Sequence, residues 1–176
     1  MLRGAARPAS PGRGRWPVPT FAGVDHVSLT VTDLERSVRF YAEVLDFVQV
    51  IDAGYGRVCM HPRTGFVLGL VRHEGAQGTP FTELATGLDH LGLVAASRDE
   101  LVAWEERLRG AGVPYTPVRD MPLGHHLAFR DPDGIALELY APNDVMAAAL
   151  RELRSREVAP EELLAMARQV LGAPPA

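Results

Sequence analysis

The stretch Val24-Asp25-His26-Val27-Ser28-Leu29-Thr30-Val31 returns 64 positions later as Leu88-Asp89-His90-Leu91-Gly92-Leu93-Val94-Ala95. A chain that carries one supersecondary unit twice has few folds open to it. In each copy the apolar residues alternate, the period of a half-buried strand. Val27, Leu29 and Val31 share one face, and His26, Ser28 and Thr30 share the other. A histidine therefore points away from the apolar face twice, at equivalent places. The repeat extends beyond the strand, because Asp33 and Ser97 stand at the same offset, each an N-cap residue heading an apolar-periodic helix.

The first helix runs from about Leu34 to Leu45, with Leu34, Val38, Tyr41 and Leu45 as its stripe toward the sheet. Phe47 to Ile51, Gly56 to Met60 and Phe66 to Arg72 then read as three short strands separated by Ala53-Gly54-Tyr55 and Pro62-Arg63-Thr64-Gly65. The second unit repeats the order. A strand over 88–95 precedes a helix from Arg98 to about Gly110, carrying Leu101, Trp104 and Leu108 inward, and strands follow near 113–119, 125–130 and 135–140. The turn Asp131-Pro132-Asp133-Gly134 is a strong hairpin signal. Aligning Gly134 with Gly65 sets Gly69 against Glu138 in the last strands of the two units. The expected fold is α+β, two tandem βαβββ modules forming a curled mixed sheet around a central cavity with helices outside.

The chain divides accordingly. Residues 1–20, with Pro8, Pro11, Pro17 and Pro19 among glycines and arginines, read as a disordered leader. Residues 21–142 form the two-module domain, with module one at 22–73, a Gly-rich linker at 74–87 and module two at 88–142. Residues 143–176 form a helical extension, with amphipathic helices from Val145-Met146 through Arg156 and from Pro160 through Leu171, Pro160 standing at a first-turn position.

Charge narrows the partners. The net charge is −4, yet Arg3, Arg7, Arg13 and Arg15 lie in the first 20 residues without an acidic neighbour, so residues 21–176 carry −8. A body that acidic is a poor nucleic-acid binder. Every one of the 18 basic residues is Arg, which excludes Schiff-base and lysine phosphate-clamp chemistry. Cys59 is the single cysteine and has no intramolecular disulfide partner. Neither an export signal nor an 18-residue apolar run is present. The expected setting is the cytoplasm, away from membranes. The partner is a small-molecule substrate, and the chain suits either a monomer or a homodimer that uses the last two helices as its interface.

If each first strand lies near the matching fourth strand, His26, His90 and Glu138 point into one cavity. Two neutral imidazoles and a carboxylate on one face of an octahedron suit a borderline divalent ion and leave positions open for water, oxygen or a chelating substrate. Fe(II) fits this set best, and Mn, Ni, Co and Zn are the other occupants. Gly69 supplies no fourth ligand by symmetry and is expected to open room beside the ion.

Asp25-His26-Val27, Asp89-His90-Leu91 and the run from Arg130-Asp131-Pro132-Asp133-Gly134 to Ile135-Ala136-Leu137-Glu138-Leu139 resemble the vicinal oxygen chelate superfamily, which unites glyoxalases, bleomycin-resistance proteins and extradiol dioxygenases. The resemblance covers about residues 22–142. It implies paired βαβββ modules around a metal cavity where the ion chelates two substrate oxygens. The His, His, Glu order resembles the extradiol ring-cleaving dioxygenases, whereas Gly69 departs from the four-ligand pattern of glyoxalase I and methylmalonyl-CoA epimerase.

An extradiol reaction also needs an acid/base group. His73 is the first candidate, on Gly69's strand parity. Of His125 and His126, one faces the cavity, and His125 is preferred. Tyr140 shares Glu138's parity and is a donor to a bound oxyanion. Arg57 and Tyr55 are candidates to meet an anionic substrate, and Cys59 reads as a small buried hydrophobe. Three functions stand: an Fe(II) extradiol-type dioxygenase, a Lewis-acid isomerase or lyase of glyoxalase type, and a metal-free drug-binding protein of the bleomycin-resistance kind.

Overall fold

The computed structural model describes residues 21–76 and 78–172, so the leader expected over 1–20 lies outside the described residues. Module one runs β1 (His26–Thr30), α1 (Leu34–Leu45), β2 (Val48–Asp52), β3 (Gly56–Met60) and β4 (Val67–Val71). Module two repeats it with β5 (Leu91–Val94), α2 (Arg98–Gly110), β6 (Arg119–Met121), β7 (Gly124–Arg130) and β8 (Ala136–Pro142). The sheets have matching orders, β1-β4-β3-β2 and β5-β8-β7-β6. In each, the first strand pairs in parallel with the last. The α+β class and the two βαβββ modules are as expected.

Both helices start where the capping residues predict. The Asp33 carboxylate accepts from the Arg36 backbone N–H at 3.0 Å, and Ser97 Oγ accepts from the Glu100 N–H at 3.2 Å. Glu100 reaches back to the Ala96 N–H, so orphan donors at this helix start are met from both directions. The inward stripes are closed: Leu34, Tyr41, Val44 and Leu45 of α1 and Leu101 and Leu108 of α2 are buried. They pack on Leu29, Leu68 and Leu70 of one sheet and Leu127, Leu137 and Leu139 of the other, within one continuous core.

One expected strand is displaced. Residues 113–118 make a single bridge, Tyr115 to Phe129, and the ladder begins only at Arg119. Pro114 and Pro117 lack the N–H that a continuous ladder needs.

The modules of one chain meet on their helix sides. The Arg107 guanidinium of α2 donates to the Val44 and Glu43 carbonyls at the end of α1, at 2.6 and 2.7 Å, where the helix dipole favours a cation. The Tyr41 hydroxyl donates to buried Asp131 at 3.1 Å, and Asp133 accepts from the Thr32 N–H and from Arg36. Because the contact runs through the helices and the Asp131–Gly134 turn, the two sheets stay separate. They do not close around one cavity within a chain, and among the described residues the outer strands β1 and β5 keep one edge without a sheet partner.

The extension forms α3 (Asp144–Ser155), capped by Asn143, and α4 (Pro160–Leu171), opened by Pro160. It packs on β8, and none of the α3 residues is fully buried. No helix among the described residues is long and apolar enough to cross a membrane.

Candidate metal centre

The alternation read from the sequence holds in the strands. His26, Ser28 and Thr30 are exposed while Leu29 is buried. In β8, Leu137, Leu139 and Ala141 are buried and Glu138 and Tyr140 face the other way. Glu138 stands between Gly92 of β5 and Ala128 of β7 in register. Its neighbours across the sheet carry little or no side chain, which leaves space beside its carboxylate.

Each duplicated Asp-His pair sets the state of its imidazole. His90 Nδ1 lies 2.6 Å from Asp89 Oδ1 and His26 Nδ1 lies 2.8 Å from Asp25 Oδ1. An ionised carboxylate only accepts, so in the neutral imidazole the shared proton sits on Nδ1 and Nε2 is the nitrogen that offers its lone pair. His90 Nε2 faces Glu138 Oε1 at 3.9 Å. That separation is just under twice a metal–ligand bond of about 2.1 Å, so one divalent ion reaches both. His90 and Glu138 line a cleft of 380 Å³ with Tyr115, Arg130 and Glu83. Arg130 is paired to Glu83 at 2.7 Å, and its guanidinium holds the Glu83 carboxyl down to about 2.

His26 does not join them. Among the described residues no three His, Cys, Asp or Glu side chains are gathered as a metal site. The expectation of one shared cavity is not met within a single chain: the modules touch through their helices, and the face of His26 and the face of His90 and Glu138 stay apart.

The companion residues are distributed differently from the sequence reading. His125 is turned to the opposite side, 2.7 Å from Asp120, which also binds Arg98 at 2.9 Å; Arg98 and then His125 lower the Asp120 pKa. His126 is the histidine on Glu138's face, its Nδ1 2.9 Å from Glu138 Oε2. The hairpin explains this, since Ala128 pairs with Glu138 and His126 with Tyr140. Counting outward from Asp131 opposite Ile135 in the turn identifies it.

Tyr140 is not free to meet an oxyanion, because its hydroxyl donates to the Leu123 carbonyl at 2.8 Å. Burial, then the charge of Glu138, raises its pKa. His73 lies in the turn after β4 and lines a separate cleft with Tyr55 and Arg72. Arg57 is held by Glu35 and Asp52 at 2.8 and 2.7 Å. Gly69 opens no room, since a Cβ there would sit 2.4 Å from Ser28 Oγ. Cys59 is buried as expected, and burial pushes its thiol up.

A family model described as the Glyoxalase/Bleomycin resistance protein/Dioxygenase superfamily matches residues 23–139. A glyoxylase/bleomycin resistance protein/dioxygenase domain from Frankia sp. EAN1pec is 39% identical, with a TM-score of 0.65 over 70% of this chain and 100% of its own. The fold is also shared with fosfomycin resistance proteins. FosX from Listeria monocytogenes, in complex with Mn(II) and sulfate, is 19% identical with a TM-score of 0.58 over 75% of this chain and 99% of its own. FosX from Mesorhizobium loti is 19% identical with a TM-score of 0.56 over 73% and 99%. No match is found among the curated proteins.

Proposed function

The chain belongs to the glyoxalase/bleomycin resistance protein/dioxygenase superfamily, and from that premise we propose a metal-dependent enzyme that chelates a small oxygen-bearing substrate at His26, His90 and Glu138. The observation that carries this reading is the approach of His90 Nε2 to Glu138 Oε1, which face each other at 3.9 Å. An imidazole nitrogen and a carboxylate oxygen converging at this separation are the donor types and spacing that a divalent cation takes.

The third ligand comes from a second copy. His26 is paired through Nδ1 to its neighbouring Asp as His90 is, and it stands at the start of an edge strand, as His90 stands just before one. Setting β1 of one copy beside β5 of the other brings a second imidazole to the first and closes the cup that one chain leaves open. The homodimer is thus a condition of the site.

Fe(II) at a centre of two imidazoles and one carboxylate supplies a Lewis acid with open positions for two substrate oxygens and for dioxygen. The protein's part is to orient and to shape. Asp25 and Asp89 hold the imidazole tautomers, Glu138 offers one oxygen, and Gly92 and Ala128 leave space beside it. The face that carries His26 supplies an apolar wall: Val67 pairs with His26, Val58 pairs with Gly69, and Met60, Ile51 and Val48 continue outward across β3 and β2. Ile51 and Val48 are half exposed. An apolar wall opposite a chelating centre suits a ring with two adjacent oxygens, a catechol-type substrate, and supports an extradiol-type dioxygenase. A Lewis-acid isomerase or lyase using Mn, Ni, Co or Zn is the second reading, favoured by the Mn(II) bound in a fold relative.

The test is complementation between inactive copies. His26→Ala and Glu138→Ala proteins are each expected to bind no stoichiometric metal. Refolded together in equal amounts they form mixed dimers with one intact centre, about a quarter of all sites in a random twofold pairing. Recovery of metal, read by elemental analysis, supports a shared centre, and no recovery refutes it. Oxygen uptake on a catechol panel with Fe(II) supports the dioxygenase; turnover without oxygen selects the second reading. Wild-type protein that binds ligand but never metal would leave a drug-binding protein.

A further inference from the structure

We propose that His126 is a positioning residue for the metal centre, an inference that rests on the proposed metal reading: it holds Glu138 Oε2 so that only Oε1 is presented to the ion. His126 Nδ1 lies 2.9 Å from Oε2. The imidazole edge thus stands against that oxygen, and with the proton on Nδ1 it attracts the carboxylate. The other oxygen is the one that faces His90. A carboxylate held at one oxygen offers a single, directed ligand atom, whereas a free one swings between one-point and two-point binding.

The imidazole is itself braced. The Tyr140 ring lies against it, centroids 4.9 Å apart and tilted by 47°, and the Tyr140 hydroxyl is anchored on the Leu123 carbonyl at 2.8 Å. Gly124 completes the support, because a Cβ there would stand 2.7 Å from the Tyr140 ring and 2.4 Å from the Ala141 carbonyl. The row Gly124, Tyr140, His126, Glu138 thus runs from a backbone anchor to the ligand atom. Tyr140, read from the sequence as a donor to substrate, belongs to this support.

The experiment titrates full-length protein anaerobically with Co(II), measuring affinity by calorimetry and coordination by the visible d–d spectrum. His126→Ala is expected to weaken Co(II) by roughly 10–100-fold, as loss of an outer-shell partner does, and to alter the band shape. His126→Asn keeps an N–H donor on the Cγ atom, as Nδ1 does, and is expected to restore affinity and spectrum. Unchanged affinity and spectrum in His126→Ala would overturn the inference. So would loss as complete as in Glu138→Ala without rescue by Asn, which would make His126 a ligand. Wild-type protein that takes up no Co(II) would overturn the metal reading and this inference with it, an outcome the wild-type titration separates from the other two.

Discussion

At the scale of single residues, the two sheets differ where their symmetry would place the same group. Glu138 ends in a carboxylate, and its counterpart Gly69 ends at the backbone because Ser28 Oγ occupies the space a Cβ would need, 2.4 Å away. Gly69→Ala is therefore expected to cost about 1–3 kcal/mol, the range of an overpacked site. Ser28→Gly should relieve much of that cost, so urea unfolding of the double variant should show a favourable coupling; additive losses would place the strain elsewhere. The facing of His26, His90 and Glu138, the proposed ligands, is legible in the sequence because alternation and the 64-residue repeat fix side-chain facing. His126 is missed by one position, since facing in a hairpin depends on which residues pair across the turn and a slip of one reverses it. Whether Tyr140 is free is not legible either, because its partner is a backbone carbonyl 17 residues away.

At the scale of elements, helix bounds and caps follow from local chemistry, and Asp33 and Ser97 behave as their positions demand. The strand expected over 113–119 fails for an equally local reason, two prolines read as part of a ladder they cannot complete. Contacts between elements distant in sequence are the hidden part. Tyr41 of α1 reaches the turn between β7 and β8 and donates to Asp131, whose carboxyl is raised by burial, with the backbone donors of Ile135 and Asp133 and then the Tyr41 hydroxyl acting against it. A carboxyl whose folded-state pKa is raised destabilises the fold while ionised, and the penalty fades as pH falls toward the unfolded value. Tyr41 lessens that penalty. Tyr41→Phe should therefore cost about 1–3 kcal/mol at neutral pH, where a buried acceptor is left short of a donor. The gap from wild type should narrow as pH falls through the raised Asp131 pKa. Thermal unfolding of both proteins from pH 7 to pH 4 checks this, and a constant gap would show that the hydroxyl serves something other than the ionised carboxyl.

At the scale of the whole molecule, a repeat specifies two like modules but not which of their surfaces meet. Helix-side contacts such as Arg107 on the end of α1 use residues that no periodicity marks. That is why the cavity expected within one chain is replaced by two separate faces, each holding part of the proposed ligand set. If His26 of one copy and His90 with Glu138 of the other hold one ion, metal binding and dimerisation must be linked: an ion that binds only the dimer stabilises the dimer by the same free energy. Metal at 100 times its dissociation constant contributes about 2.7 kcal/mol per site, so two sites shift the dimer constant by roughly four powers of ten. Sedimentation of wild-type protein near its dissociation range is thus expected to move from a mixture toward dimer when Mn(II) is added, and back when EDTA removes it. Glu138→Ala should sediment alike in both conditions, since its copies still meet through their strand edges but offer the ion one ligand fewer. A wild-type distribution indifferent to metal would mean that each ion is held within a single copy, and the placement of His26 in the centre would have to be given up.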